Sequence, residues 1–117
     1  MPATLYGIPH CDTVKKARTW LDAHGIDYVF HDFKKAGIQP GLIDLWLRDV
    51  AWETLINRKG ATWRALTDEQ KALTVDAATA TELILASPSI VKRPVLHIAG
   101  ATYVGFSEQT YQQIFQD

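Results

Sequence analysis

Cys11 is the one cysteine of the chain, and it stands in the stretch YGIPHCDTVKKA, between an apolar run and a lysine pair. The thiolate is the nucleophilic form of cysteine. It is favoured where a strand hands over to a helix, because free backbone N–H groups and the positive end of the helix dipole meet the sulfur there. Lys15 and Lys16, one turn further on, add positive charge, and Asp12 opposes them. The same N–H groups would cradle an oxyanion, so nucleophile and anion site would coincide. Such a sulfur could attack an oxyanion or a disulfide. The other role open to Cys11 is a small apolar plug, but Pro9-His10 before it and Asp12-Thr13 after it make its surroundings polar and turn-like. His10 is a poor general base for Cys11, since sequence neighbours at a turn rarely face each other. The spacing of His24, His31 and His97 suggests no metal ligands, and no metal site is expected.

Two arginines carry the other candidate chemistry, because the guanidinium fork binds oxyanions and carboxylates bidentately. Arg58 lies in Ile56-Asn57-Arg58-Lys59-Gly60, at the end of an expected helix, and Arg93 immediately precedes Pro94 at the entry to an expected strand. A charge answering the helix dipole would also account for Arg58, and a surface ion pair for Arg93.

The elements that would position these residues can be read from periodicity. Residues 3–8, ATLYGI, form a short strand that ends in Gly7 and Pro9, and helical spacing then sets in at Val14, Ala17 and Leu21. This helix starts near Cys11 and stops at His24-Gly25, after which DYVFHDF, Asp27 to Phe33, alternates as a second strand. Together they make a βαβ unit with parallel strands. A long helical stretch follows, with Leu42, Leu45, Trp46 and Val50 on one face and Trp52, Leu55 and Ile56 continuing it after a break. Trp46, Trp52 and Trp63 are read as packing residues of this region. Thr67 with Gln70 forms a capping box, and Asp76 caps a helix with Ala77, Ala80, Leu83 and Ile84 on its apolar face, which ends at Ser87-Pro88. PVLHI and TYVGF, joined by Ala99-Gly100, make an antiparallel hairpin. Ser107 caps a last helix with Tyr111, Ile114 and Phe115 on one side.

The order is βαβ, a helical insert over about 39–91, then ββα. That connectivity is an α/β, thioredoxin-like fold, a mixed four-stranded sheet with helices inserted between its halves, although another small α/β sandwich would satisfy the same strings. In a thioredoxin-like fold the proline that starts the third strand, here Pro94, is characteristically cis and abuts the active-site cysteine, which would carry Arg93 there too.

At 117 residues and 47% hydrophobic content, the chain fits one domain that buries a core without disulfides or a structural metal. A net charge of -1 leaves no global footprint for nucleic acid. A lone cysteine cannot close an internal disulfide, and the N-terminus lacks a signal-peptide pattern, so a reducing, cytoplasmic setting is expected. No apolar run approaches the roughly 20 residues a bilayer requires, so no membrane partner is expected either.

Taken together, LYGIPHCDTVKKARTWL, INRKG, VKRP and GFSEQTYQQIF resemble, in this order and spacing, the arsenate reductase ArsC/Spx family, with YffB-like proteins the nearest branch. The resemblance spans essentially the whole chain. It implies Cys11 as nucleophile and Arg58 and Arg93, the latter beside Pro94, as the anion- or glutathione-binding pair, with Thr13 and Lys15 of the first helical turn completing that set. In the glutaredoxin-coupled reductases of this family the thiolate attacks arsenate and glutathione completes the reduction. Glutathione is thus the implied co-substrate, glutaredoxin a possible second partner, and no bound organic cofactor is implied.

Two departures bear on the substrate. The reductases carry a third arginine in an Arg-Pro-Ser-Glu motif, where this chain reads Gly105-Phe106-Ser107-Glu108, and they follow the cysteine with a Gly-Thr-Ser type sequence, where this chain has Asp12, Thr13 and Val14. A carboxylate beside an arsenate trianion costs on the order of 1 kcal/mol or more in a partly desolvated pocket. Members of the Spx branch bind RNA polymerase as redox-sensing regulators and often use a Cys-x-x-Cys switch. Val14 stands where their second cysteine would be, which excludes the intramolecular switch and leaves polymerase binding as an alternative function. The reading that follows is a glutathione-dependent thiol reductase with one cysteine, with arsenate reduction as a further alternative.

Overall fold

A computed structural model describes residues 2–116. They fall into two compact units, one formed by residues 2–33 and 93–116, the other by residues 34–92.

The first unit is built on a four-stranded sheet in the order β2-β1-β3-β4, with β1 at Ala3–Gly7, β2 at Tyr28–Asp32, β3 at Val95–Ile98 and β4 at Ala101–Val104. β1 and β2 are parallel, as the connecting helix α1 (Asp12–Ala23) requires. β3 runs antiparallel to both β1 and β4, so the sheet is mixed. The β3–β4 hairpin closes through Ala99 and Gly100, both at positive φ (54° and 77°), the backbone a two-residue primed turn needs.

Sequence periodicity decides which face of each element is buried. Ala3 and Leu5 alternate inward along β1, and Val14, Ala17, Trp20 and Leu21 share one side of α1. All of these but Val14 pack with Leu96 and with Tyr111 of α8 (Glu108–Ile114) into one core. Ser107 caps α8 through Thr110 N–H, as its position before the apolar run predicts.

Tyr111 sits edge-on to Trp20 and Phe106 with ring centroids at 5.7 Å and 4.7 Å. Its hydroxyl is buried with no hydrogen-bond partner among the described residues, and burial lifts its ionisation well above the ordinary phenol value. Burying an unpaired hydroxyl costs about 1–3 kcal/mol. Tyr111→Phe keeps the ring contacts and removes that cost, so its melting midpoint is expected to rise, corresponding to about 1 kcal/mol. A lower midpoint on thermal denaturation would mean that the hydroxyl is stabilising.

In the second unit α3 (Pro40–Leu47), α4 (Trp52–Leu55), α5 (Ala61–Arg64), α6 (Asp68–Leu73) and α7 (Ala77–Ala86) follow the short α2 (Phe33–Ala36). The capping boxes at Thr67/Gln70 and Asp76 form, the latter with Thr79. Elsewhere the sequence reading needs correction. The apolar stripe of α3 is centred on Ile43 and Trp46, which are fully buried, whereas Leu42, Leu45 and Val50 are half-buried. The expected break before Trp52 falls after Leu47, where Asp49 and Val50 are weak helix formers, so Val50 lies outside α3. On α7, Ala80 and Ile84 are buried but Ala77 is exposed. Of the three tryptophans assigned to packing, Trp46 is fully buried, while Trp52 and Trp63 are half-buried. A bridge between Ile56 and Val91, with Asn57 N–H donating to Ile90 O and Lys92 N–H to Leu55 O, both at 2.8 Å, ties the end of α4 to the segment that leaves this unit.

Candidate functional site

Cys11 occupies the N-cap of α1 in extended geometry (φ -86°, ψ 126°) and is half-buried. A turn brings it there. Cys11 N–H donates to Ile8 O at 3.2 Å, with Pro9 at the turn position its fixed φ suits. The Cys11 carbonyl accepts the first helical bond, from Lys15 N–H at 2.9 Å. Its side chain makes no capping bond. An oxygen-bearing residue normally stands at this position and satisfies the first-turn N–H groups. Here the residue is a cysteine, whose sulfur is a weak acceptor.

The sheet register gathers further residues at the same end. Tyr6 lies opposite His31 and Val95, and Val95 opposite Val104, so Gly7, Asp32, Pro94 and Gly105 follow as one row across the sheet. That row is the carboxyl end of the parallel pair β1–β2, where open α/β sheets present ligand sites. β1 leaves it for Cys11 and β4 leaves it for α8, so both helices start there. Arg93 is half-buried and joined to the buried Pro94 by a cis peptide bond. Gly105 N–H donates to Pro94 O at 2.8 Å, which extends the hairpin ladder by one step. Thr13 is half-buried and Lys15 exposed on the first turn of α1.

Of the expected site residues, Cys11, Thr13, Lys15, Arg93 and Pro94 therefore belong to the first unit and Arg58 to the second. Arg58 is not at a helix end. It is exposed, in the turn between α4 and α5, with its guanidinium carbon 6.0 Å from the ring centroid of Trp52. α4 ends at Leu55 with Ile56 in extended geometry, and Asn57 Oδ1 then accepts from Lys59 N–H in a side-chain turn around Arg58. Among the described residues no group of three or more His, Cys, Asp or Glu side chains could hold a metal ion.

Gly7 is a positioning residue that nothing in its chemistry announces. A Cβ there would lie 2.8 Å from Val14 Cγ2 and 3.1 Å from Cγ1, so only glycine lets β1 end this close to α1. Gly7→Ala is expected to displace the first turn of α1 and to cost about 1–3 kcal/mol through overpacking. The reaction of Cys11 with a chromogenic disulfide should slow with it, and a second substitution, Val14→Ala, should restore both. Unchanged stability and thiol rate in Gly7→Ala would disprove the close approach.

Comparison with known proteins agrees with this geometry. A solved YFFB protein is 50% identical, covers 95% of this chain and 96% of its own length, and superposes with a TM-score of 0.90. An arsenate reductase (ArsC) related protein from Brucella melitensis is 51% identical over 100% of this chain and 97% of its own, with a TM-score of 0.78. An uncharacterized protein of Haemophilus influenzae is 38% identical over 112 residues, 96% of this chain and 97% of its own. More distantly, the global transcriptional regulator Spx of Streptococcus pneumoniae is 24% identical over 107 residues, 90% of this chain and 79% of its own. The ArsC family pattern matches residues 6–114. On that match, which takes in the strand, the cysteine turn, the Arg93-Pro94 pair and the closing helix, the chain belongs to the ArsC family.

Proposed function

We propose that the protein is a glutathione-dependent thiol reductase that works through Cys11 alone. The observation that carries this reading is the placement of Cys11, a half-buried sulfur at an N-cap without a capping bond, at the carboxyl end of β1. The Cys11 thiolate attacks a disulfide R–S–S–R′, forming Cys11–S–S–R and expelling R′S⁻. A glutathione thiolate then displaces RS⁻ to leave Cys11–S–S–G, and a second one regenerates the Cys11 thiolate with release of glutathione disulfide. With one cysteine, an external thiol must resolve every intermediate. Arg93 holds a glutathione carboxylate.

Arsenate is the poorer substrate on two counts. Asp12 adds a carboxylate to the first turn of α1. Where the arsenate reductase pattern has its third arginine this chain has Gly105, whose φ of 84° is a backbone that side-chain-bearing residues rarely adopt. The test is incubation with glutathione disulfide followed by intact mass measurement. One glutathione adduct, absent in Cys11→Ser, is the expected result, and no adduct under mildly alkaline conditions would overturn the reading. The Spx relatives support polymerase binding as the second reading. A complex with polymerase that forms equally well with Cys11→Ser, in a protein that takes no adduct, would favour it.

A further inference from the structure

The exposed flank of the first unit between α1 and α8 carries two open cavities, of about 460 Å³ and 590 Å³, and both are lined by Trp20 and His24. They form one groove along α1. From Lys15 to His24, the C-cap of α1, it spans nine helical steps, about 14 Å, enough for four or five residues of extended chain at about 3.3 Å each.

The walls are chemically distinct. The smaller cavity adds Lys15, Lys16 and Glu108, which are charged, and Phe106 and Ala23, which are apolar. Midway, His24 stacks on Trp20 at 3.9 Å between ring centroids, with an interplanar angle of 21°. Its Nδ1 lies 2.8 Å from Trp20 O. A carbonyl only accepts, so Nδ1 donates and the ring is held in place, an aromatic wall fixed before any ligand arrives. Beyond it the groove is lined by Gln109, Gln112 and Gln113, spaced i, i+3, i+4 on one side of α8, and by Gln116 just past the end of that helix. A solvated helix face usually bears charges. An uncharged row of carboxamides, each with a donor pair and an acceptor, matches the main-chain amides of an extended polypeptide.

We propose that this groove binds an extended, acidic polypeptide segment of a partner protein: acidic side chains at Lys15 and Lys16, an apolar or aromatic side chain on Phe106 and Trp20, and main chain along the glutamines. Two lysines beside one glutamate leave a positive excess that suits an acidic side chain but are too few for a nucleic-acid track, and an open, elongated shape suits a chain better than a compact small molecule. The inference is independent of thiol chemistry, and its test removes the sulfur. Cys11→Ser protein is used to select from a displayed library of random dodecapeptides, and the enriched sequences are synthesised and titrated by fluorescence anisotropy. Enriched peptides should share acidic residues next to an aromatic one. Binding should weaken about tenfold or more in Lys15→Glu/Lys16→Glu and in Gln112→Lys/Gln113→Lys, with unchanged melting midpoints, because these side chains are exposed. No enrichment over the naive library, enriched peptides without acidic residues, or double variants that bind as tightly as the Cys11→Ser parent would overturn the proposal.

Discussion

Cys11→Ser is expected to abolish turnover with glutathione while making the protein more stable. The two effects have one origin. Cys11 holds the N-cap of α1 but makes no side-chain capping bond, and serine is among the strongest residues at that position, worth about 0.5–2 kcal/mol over a residue that cannot cap. A hydroxyl on the same backbone would accept from the first-turn N–H groups, and the shorter C–O bond adds no bulk to a half-buried site. A gain of about 0.5–1 kcal/mol is therefore expected in urea unfolding. The hydroxyl cannot form the mixed disulfide, so no glutathione adduct should appear and the steady-state rate should fall to background. A variant that stays active would remove Cys11 from the mechanism. A variant that loses stability would show that the sulfur is held for packing, the role cysteine has in many cores. Opposite signs in the two measurements mark a position where stability is given up for reactivity.

What could be read in the sequence was local. The strand, turn and helix around Cys11 announce themselves through Gly7, Pro9 and the 3.6-residue spacing that starts at Val14, and the caps at Thr67, Asp76 and Ser107 are side-chain motifs contained within four residues. The break after Leu47 was harder to place, because a helix end depends there on weak propensities rather than on a glycine or proline. The four-residue helix α5 carries no buried position and hence no periodic signal. Arg58 was misplaced for a related reason: Ile56 reads as helical by hydrophobicity, yet it pairs with Val91, thirty-five residues further on. The row of Gly7, Asp32, Pro94 and Gly105 is set by strand register, which no local window contains. The role of Gly7 depends on a contact with Val14, and that of Gly105 on a positive φ.

Arg93→Ala should raise the KM for glutathione about ten- to a hundredfold and leave kcat within a few-fold. A charge-assisted hydrogen bond to a carboxylate contributes about 1.5–3 kcal/mol, and each 1.36 kcal/mol is a factor of ten. In the proposed cycle Arg93 holds a carboxylate remote from the sulfur, so its interaction is the same in the ground and transition states and the loss appears in KM. Arg93→Lys should recover only part of the loss, since an ammonium offers a point charge where the guanidinium offers a planar fork. Arg58→Ala gives the contrast. Arg93 is half-buried, whereas Arg58 is exposed with its guanidinium carbon 6.0 Å from the Trp52 ring centroid. An ion pair in water is worth about 0–1 kcal/mol, so its KM should rise no more than about fivefold. Raising the salt concentration should weaken the Arg93 contribution only in part, because solvent screens a half-buried charge less completely than an exposed one. The rate at which Cys11 reacts with a small uncharged disulfide separates carboxylate binding from any effect on the nucleophile. It should be the same in wild type, Arg93→Ala and Arg58→Ala. If Arg93→Ala slows that reaction as much as it slows turnover with glutathione, the arginine acts on the sulfur rather than on the substrate, and its assignment as a carboxylate ligand fails.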